Sequence, residues 1–236
     1  MQERILRRLA TVAAVALLVP AAALAGDYVL HPNGFGPHSY SSWKGDEGLP
    51  DSTGSKDQAL YFQKNTATPT VAAGVAVFKG VEGMQVGTLF PLSFYVRTDG
   101  HCGAGAPRFN LRVEDPATEV RQTIFIGCAG MTAGDPRTHE GRTFVKRTLP
   151  FAPVPSMFEV VSLSIVFDEG NDVGGCRGVP GVVSGQSCTF LDDITVADHV
   201  WTSASDNGNG ATVEQSFTAL DTLLGEPTLV ALTPTS

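Results

Sequence analysis

Apolar and polar residues alternate with a period of two along much of the chain. The clearest case is residues 92–113, in which two alternating arms flank a glycine-rich loop. The first arm places Leu92, Phe94 and Val96 on one side of the chain. Such alternation predicts strands with one buried face and one solvated face.

Further strand-like segments recur between clusters of glycine, proline, asparagine and aspartate, which favour turns. The predicted strands are 28–31, 59–64, 74–79, 91–98, 108–113, 120–127, 142–148, 160–168 and 188–196. Eight or nine short strands, without a long helical pattern or an internal repeat, predict an all-β fold. We expect an antiparallel jelly-roll sandwich.

One helical pattern occurs near the C-terminus. Thr212 and Gln215 have the spacing of a capping box, and Gly225 suits the position after a helix. Between them, apolar residues recur on one face. We therefore predict one C-terminal helix over residues 213–224, packed on the sandwich.

The first 25 residues have the pattern of a secretory signal peptide. A basic start is followed by an apolar stretch at 9–19, too short to span a bilayer comfortably, and by an A-x-A cleavage signal at 23–25. We therefore expect a secreted protein, extracellular or periplasmic. The predicted parts are the signal peptide at 1–25, a β-sandwich domain at 26–200 and a C-terminal extension with the helix at 201–236.

The net charge restricts the kinds of partner. The chain has 16 lysines and arginines against 24 aspartates and glutamates, a formal net charge of −8, and no cluster of basic residues. An acidic chain of this kind repels nucleic acids and anionic membrane surfaces. We expect no nucleic-acid partner and no membrane insertion.

Four cysteines follow the predicted signal peptide, and in an exported chain an even number indicates two disulfides. Three connectivities are open. We prefer Cys102–Cys128 and Cys176–Cys188, because each pair joins the ends of neighbouring strand-loop units. A zinc site is the alternative, but the chain has no C-x₂-C spacing.

The motifs of several enzyme classes are missing. The chain has no G-x-S-x-G elbow, no H-E-x-x-H, no P-loop and no EF-hand pattern. Its five histidines never occur at the i, i+2 or i, i+4 spacing of metal ligands. These absences favour a protein that is not an enzyme.

Residues 190–196, with the sequence FLDDITV, combine apolar positions with two aspartates. We expect Phe190, Ile194 and Val196 on one face, which also takes Asp192. A carboxylate on the apolar face of a strand is costly unless it is paired or binds a cation. Asp192 therefore needs a partner.

This stretch resembles the late strand of the galactose-binding-like jelly-roll carbohydrate-binding modules, in which an aromatic residue precedes an Asp-Asp or Asp-Asn pair and alternating aliphatic residues. Residues 57–62 and 92–96 resemble an early and a middle strand of the same modules. The resemblance covers residues 54–196 by order of elements. It implies a jelly-roll fold and carbohydrate binding.

In many of those modules the first aspartate of the late pair helps to hold a structural Ca²⁺. The resemblance assigns that metal-binding role to Asp192, with further oxygen ligands from around Asp46, Glu47 and Asp57. In the alternative interpretation, Asp192 accepts backbone N–H bonds at a strand end or pairs with an arginine.

Sugar recognition combines flat aromatic faces with planar polar side chains that bind hydroxyl groups. The predicted solvated face of residues 92–113 offers both kinds of side chain. The predicted ligand-binding residues are Trp43, Tyr95, Arg97, Arg108, Asn110 and Arg112. The alternative is structural, with the tryptophan packing a loop on the sandwich and the arginines pairing with carboxylates of neighbouring strands.

We therefore expect a secreted, non-catalytic domain that binds a polysaccharide or other extracellular or cell-wall glycan. One alternative is a surface-associated structural or adhesion protein with a protein partner. The other is a glycan hydrolase or lyase on the same fold, which needs acidic groups that converge in a groove. The first residues to check for that alternative are Asp99, His101, Asp168 and Glu169.

Overall fold

A computed structural model describes residues 28–51, 56–173, 176 and 186–206. Twelve strands lie within these ranges. They are β1 (Val29–Phe35), β2 (Ser39–Lys44), β3 (Ala59–Lys64), β4 (Ala73–Lys79), β5 (Leu92–Arg97), β6 (Arg108–Glu114), β7 (Arg121–Gly127), β8 (Thr132–His139), β9 (Arg142–Leu149), β10 (Glu159–Phe167), β11 (Cys188–Val196) and β12 (His199–Trp201). Short 3₁₀ helices are found at Val86–Leu89, Cys128–Gly130 and Ala204–Asp206. The predicted signal peptide and C-terminal helix lie outside the described residues.

The strands form two sheets with only antiparallel pairings. The five-stranded sheet has the order β1-β4-β10-β6-β7. The seven-stranded sheet has the order β2-β3-β11-β5-β9-β8, and β12 pairs with β11. The chain crosses repeatedly between the sheets, so that neighbours in sequence such as β5 and β6 lie in different sheets. The predicted all-β jelly-roll sandwich is confirmed.

The core lies between the inner faces of the two sheets. Phe78 and Phe109 come from the five-stranded sheet, and Phe94 comes from the seven-stranded sheet. The ring of Trp201, in β12, is completely buried, with its centroid 5.2 Å from that of Phe78. Packing of aromatic rings at this distance stabilises a sandwich beyond the area that it buries.

Both predicted disulfides are confirmed. Cys102, in the loop after β5, is bonded to Cys128, which follows β7. Cys176 is bonded to Cys188, the first residue of β11. The first bond links a loop of the seven-stranded sheet to the end of a strand in the five-stranded sheet. Disulfides of this kind are typical of oxidising compartments.

Three strands occur where no strand was predicted. β2 lies between the predicted strands 28–31 and 59–64, β8 lies between 120–127 and 142–148, and β12 follows 188–196. All but the last residue of β8 are exposed. β2 and β8 have no regular alternation of apolar and polar residues, and β12 has only three residues, which explains why the pattern did not predict them.

Among the described residues, no helix has the length and apolar character that crossing a membrane requires.

Candidate functional site

The six predicted ligand-binding residues do not share one surface. Tyr95 and Arg97 are in β5 of the seven-stranded sheet, whereas Asn110 and Arg112 are in β6 of the five-stranded sheet. The prediction of one solvated face along residues 92–113 is wrong, because the chain crosses between the sheets in the loop that joins the two arms.

Arg97 is buried, with 1% of its surface exposed. Its guanidinium donates to Glu47 Oε2 at 2.5 Å and to Asp99 Oδ1 at 2.7 Å, and it lies 3.5 Å from the ring centroid of Phe190. Two carboxylates and an aromatic face thus satisfy this cation. The interpretation of Arg97 as a solvent-facing ligand residue is wrong, since the loop after β2 covers it.

The two aromatic candidates are also covered. Tyr95 is 5% exposed and packs with Leu49 and Phe144 on the outer face of the seven-stranded sheet. Trp43 is partly buried and packs against the core. The Tyr95 ring is therefore not open to a sugar. Trp43 packs on the sandwich, as the structural alternative expected, although it lies in β2 and not in a loop.

The other three candidates lie on the outer surface of the five-stranded sheet, where Arg108, Asn110 and Arg112 point away from the core. We call this surface the polar face. It consists of Arg108, Asn110, Arg112, Phe125, Ser162 and Ser164. Their neighbours in β6, namely Phe109, Leu111 and Val113, are fully buried in the core. The period-two pattern of β6 therefore gave the correct face for these residues.

Strand register arranges the polar face in rows. Ser164, Asn110 and Phe125 are directly opposite one another on β10, β6 and β7. Ser162 and Arg112 are opposite each other in the next row. Residues that are opposite in an antiparallel sheet have neighbouring side chains. The register therefore brings an aromatic ring, an amide, a guanidinium and two hydroxyl groups together.

The charges on this face are unevenly paired. Arg108 donates from Nη2 to Asp168 Oδ2 at 2.7 Å and from Nε to Asn110 Oδ1 at 2.8 Å. This fixes the Asn110 side chain. Arg112 has no ion pair and no side-chain hydrogen bond with another described residue. The polar face thus holds one neutralised arginine and one that is available.

Phe125 was not among the predicted site residues. It is 64% exposed, and the Arg108 guanidinium lies 5.3 Å from its ring centroid. The sequence contained a signal for it. Phe125 lies between the apolar residues Ile124 and Ile126. Because successive side chains of a strand point to opposite faces, Phe125 must lie on the solvated face of β7 together with Thr123.

Asp192 occupies a β-bulge. The register of β11 against β5 shifts between Asp192 and Thr195, and Asp193 has a φ of 42°. Ile194 and Val196 therefore turn into the core, whereas Phe190 packs on the outer face with Tyr61. The prediction that these three apolar residues share one face is wrong, because the extra residue of a bulge reverses the alternation.

The Asp192 carboxylate is completely buried. Its Oδ2 accepts a hydrogen bond from the Leu49 backbone N–H at 2.6 Å, and its Oδ1 accepts one from Asp193 N–H at 2.7 Å. Burial raises the pKa of Asp192 to about 8, and the two N–H donors oppose that rise. These hydrogen bonds agree with the alternative interpretation of Asp192 and leave further lone pairs on both oxygens.

The expected calcium ligands around Asp192 are largely engaged elsewhere. Glu47 pairs with Arg97 and with Arg142 at 3.2 Å. Asp57 is bonded to His139 at 2.8 Å. Asp51 is different, because its buried Oδ1 has no hydrogen-bond partner among the described residues. An orphaned buried carboxylate oxygen fits a hard cation, whereas the carboxylates of Glu47 and Asp57 do not need one.

The four residues considered for a hydrolase or lyase are each paired. Asp99 accepts from Arg97, and Asp168 accepts from Arg108. His101 and Glu169 form a hydrogen bond with each other. An acid pair for glycoside cleavage needs one carboxyl group to act as the acid and one as the base or nucleophile. The carboxylates of Asp99 and Asp168 are each bound by an arginine side chain, so neither is a free acid in an open groove.

Comparisons with known proteins give one distant structural neighbour. No protein-family model matches the sequence, and no curated protein matches it. Among solved structures, the chain is similar to a non-crystalline cellulose specific carbohydrate-binding module, CBM28, with 14% sequence identity and a TM-score of 0.34. The likeness covers 67% of this chain and 88% of the module. The cellulose specificity stated for that module belongs to that protein.

Proposed function

We propose that this protein is a secreted, non-catalytic carbohydrate-binding domain that recognises an extracellular or cell-wall glycan on its polar face. The observation that supports this proposal most is the exposed ring of Phe125 in direct register with Asn110 and Ser164. A pyranose stacks on a flat aromatic ring through its C–H face, while neighbouring amide and hydroxyl groups bind the sugar hydroxyls.

The side chains of the polar face are held in place by hydrogen bonds, which favours this face over a loop as a ligand-binding site. Arg108 holds Asn110 through Nε, and Asp168 holds Arg108 through two hydrogen bonds. Polar groups fixed in this way lose little conformational entropy when a ligand arrives. The available Arg112 guanidinium can donate to hydroxyl groups or to the carboxylate of a uronate. We therefore propose a hydroxyl-rich or uronate-bearing polysaccharide as the ligand class.

Phe125→Ala removes the stacking ring and Arg112→Ala removes a charge-assisted hydrogen bond, so each should weaken glycan binding roughly tenfold to a hundredfold. Both residues are solvated, so the melting temperature should change little. A glycan array followed by isothermal titration of the best ligand measures the effect. Phe151→Ala, which removes an 80% exposed phenylalanine outside the strands, is the matched control and should bind normally. Unchanged binding by both polar-face variants would refute the proposed site.

We further propose that Asp51 and Asp192 hold a structural Ca²⁺. The buried, unpartnered Oδ1 of Asp51 and the buried Asp192 carboxylate support this. Two neighbouring carboxylates repel each other when both are ionised, and a divalent cation converts that repulsion into attraction. The ion would fasten the loop after β2 to β11, a role in stability rather than in ligand contact.

The pH dependence of unfolding tests this site. Without a cation, the folded carboxyl of Asp192 holds its proton up to a pKa of about 8, compared with 3.8 ordinarily. Its contribution to stability is therefore full below about pH 4 and is lost as the pH rises towards 8, by at most about 1.4 kcal/mol per pH unit. With chelator, the free energy of unfolding should fall over this range. With Ca²⁺, the fall should be much smaller.

Asp192→Asn supplies the control for that experiment, because the amide cannot ionise. The variant should lose both the chelator effect and this part of the pH dependence. If unfolding curves of the unmodified protein coincide with and without Ca²⁺ throughout the range, the calcium proposal is refuted. The glycan assay reads out the polar face independently of that result.

A further inference from the structure

A cavity of about 330 Å³ lies beside the loop that joins β5 to β6. Its walls include Thr98, His101 and Cys102 from that loop, together with Val145 and Arg147 from β9. None of the described residues that line it is an aspartate or a glutamate. The chain as a whole has a net charge of −8, whereas the described residues that line this cavity are only basic or neutral.

Arg147 projects from the inward side of β9. It lies directly opposite Phe94, a fully buried core residue, and side chains opposite each other share a face. The Arg147 side chain is partly buried, and its Nε is fully buried. A buried N–H group is costly unless it finds an acceptor.

No described residue supplies those acceptors. The Nε of Arg147 is buried without a hydrogen-bond partner, and Arg147 has no ion pair with a described residue. The other basic side chains of the cavity wall have partners, because Arg97 pairs with Glu47 and Asp99, and His101 forms a hydrogen bond with Glu169. The unmatched positive charge at this cavity therefore belongs to Arg147.

We propose that the cavity binds an oxyanion, the carboxylate or sulfate group of a small ligand, on the guanidinium of Arg147. The planar fork of a guanidinium matches two oxygens of such a group. The cavity volume is at the lower end of the range for small-molecule sites, which suits a ligand of monosaccharide size. This site is distinct from the polar face, because its walls come mainly from β5, β9 and the loop after β5, whereas the polar face belongs to the five-stranded sheet.

Nuclear magnetic resonance of the arginine Nε–H groups tests the proposal directly. The full mature protein is titrated with sodium glucuronate, sodium sulfate or glucose at constant ionic strength, and Arg147→Lys identifies the Arg147 resonance by its loss. Glucuronate or sulfate should shift that resonance in a saturable manner, and glucose should not. Tighter binding of glucuronate identifies an acidic sugar as the ligand, whereas equal binding identifies the oxyanion alone.

A matched variant separates this site from the other arginines of the surface. Arg147→Gln should weaken anion binding at least about tenfold, the usual loss for a hydrogen bond to a charged group. Arg137→Gln, which changes an exposed arginine of β8, is the matched control and should bind the anion as the unmodified protein does. If Arg147→Gln fails to fold, Arg147→Lys keeps the charge without the fork and should bind more weakly in the same titration followed by calorimetry.

Absence of a saturable shift at Arg147 with either anion would overturn the proposal and leave water as the partner of Nε. Equal losses in Arg147→Gln and Arg137→Gln would also overturn it, because the anion would then respond to the net charge of the protein and not to the Arg147 guanidinium. The glycan assay with Phe125→Ala has its own readout, so that failure at one site is distinguishable from failure at the other.

Discussion

Replacement of Lys64 by methionine is expected to lower the free energy of unfolding by about 3 kcal/mol. Lys64 is 1% exposed, and its ammonium donates to the backbone carbonyls of Thr68, Thr70 and Asp168 at 2.7–2.8 Å. Methionine keeps most of the side-chain volume but leaves three acceptors without their donor. The loss corresponds to a fall in melting temperature of about 6–12 °C for a domain of this size.

Denaturant unfolding followed by fluorescence measures this change. Lys79→Met is the matched control, because Lys79 is exposed on β4 and makes a surface ion pair with Glu82 at 3.5 Å. That control should change stability by less than about 0.5 kcal/mol. Similar losses in the two variants would show that the triple carbonyl contact of Lys64 contributes nothing particular.

The Lys64 contact also bears on the polar face. The carbonyl oxygen of Asp168 accepts from Lys64, while the carboxylate of the same residue holds Arg108. One residue thus connects a buried cation on β3 to a cation on the outer surface of the five-stranded sheet. We expect glycan affinity to fall in Lys64→Met even where the protein remains folded, because Asp168 loses its anchor.

Arg97→Met is expected to cost about 3–5 kcal/mol, the range for removing one partner of a buried ion pair. The change leaves Glu47 and Asp99 without their common partner and removes the cation from the Phe190 ring. Thermal unfolding at neutral pH measures the loss. The double variant Arg97→Met with Glu47→Gln should recover part of it, since one unpaired charge is then absent.

A loss in Arg97→Met below about 1 kcal/mol would contradict the structural role assigned to this arginine. The expected loss also affects how binding experiments are interpreted. Weaker glycan binding by an Arg97 variant reports a weakened fold, whereas the same result for Arg112 reports a lost contact. Only the second residue is suitable for testing ligand recognition.

The sequence predicted the sandwich well wherever burial imposed a period of two. The predicted segments 59–64 and 188–196 coincide with β3 and β11. β8 was not predicted because nearly all of its residues are exposed, so that apolar and polar residues do not alternate along it. An exposed edge strand forms because it pairs with a neighbouring strand, and the pattern of a single sequence does not show which segments pair.

The candidate site was predictable only in part, for two physical reasons. Alternation assigns a residue to one side of its strand, but it does not say which strands share a sheet, so Arg97 and Arg112 were grouped although they lie in different sheets. Alternation also cannot distinguish solvent from a covering loop. Tyr95 and Arg97 are on the outer side of β5, yet the loop after β2 buries both.

The solvated edge strand β8 has a consequence for how copies of this protein meet. An uncovered edge offers unpaired backbone N–H and C=O groups to any other chain, and long flat edges promote aggregation. β8 contains Pro136, which lacks an N–H, and its register against β9 shifts between Ala133 and Pro136. A proline together with a bulge makes this edge a poor template for intermolecular strand addition, which favours molecules that stay separate at high concentration.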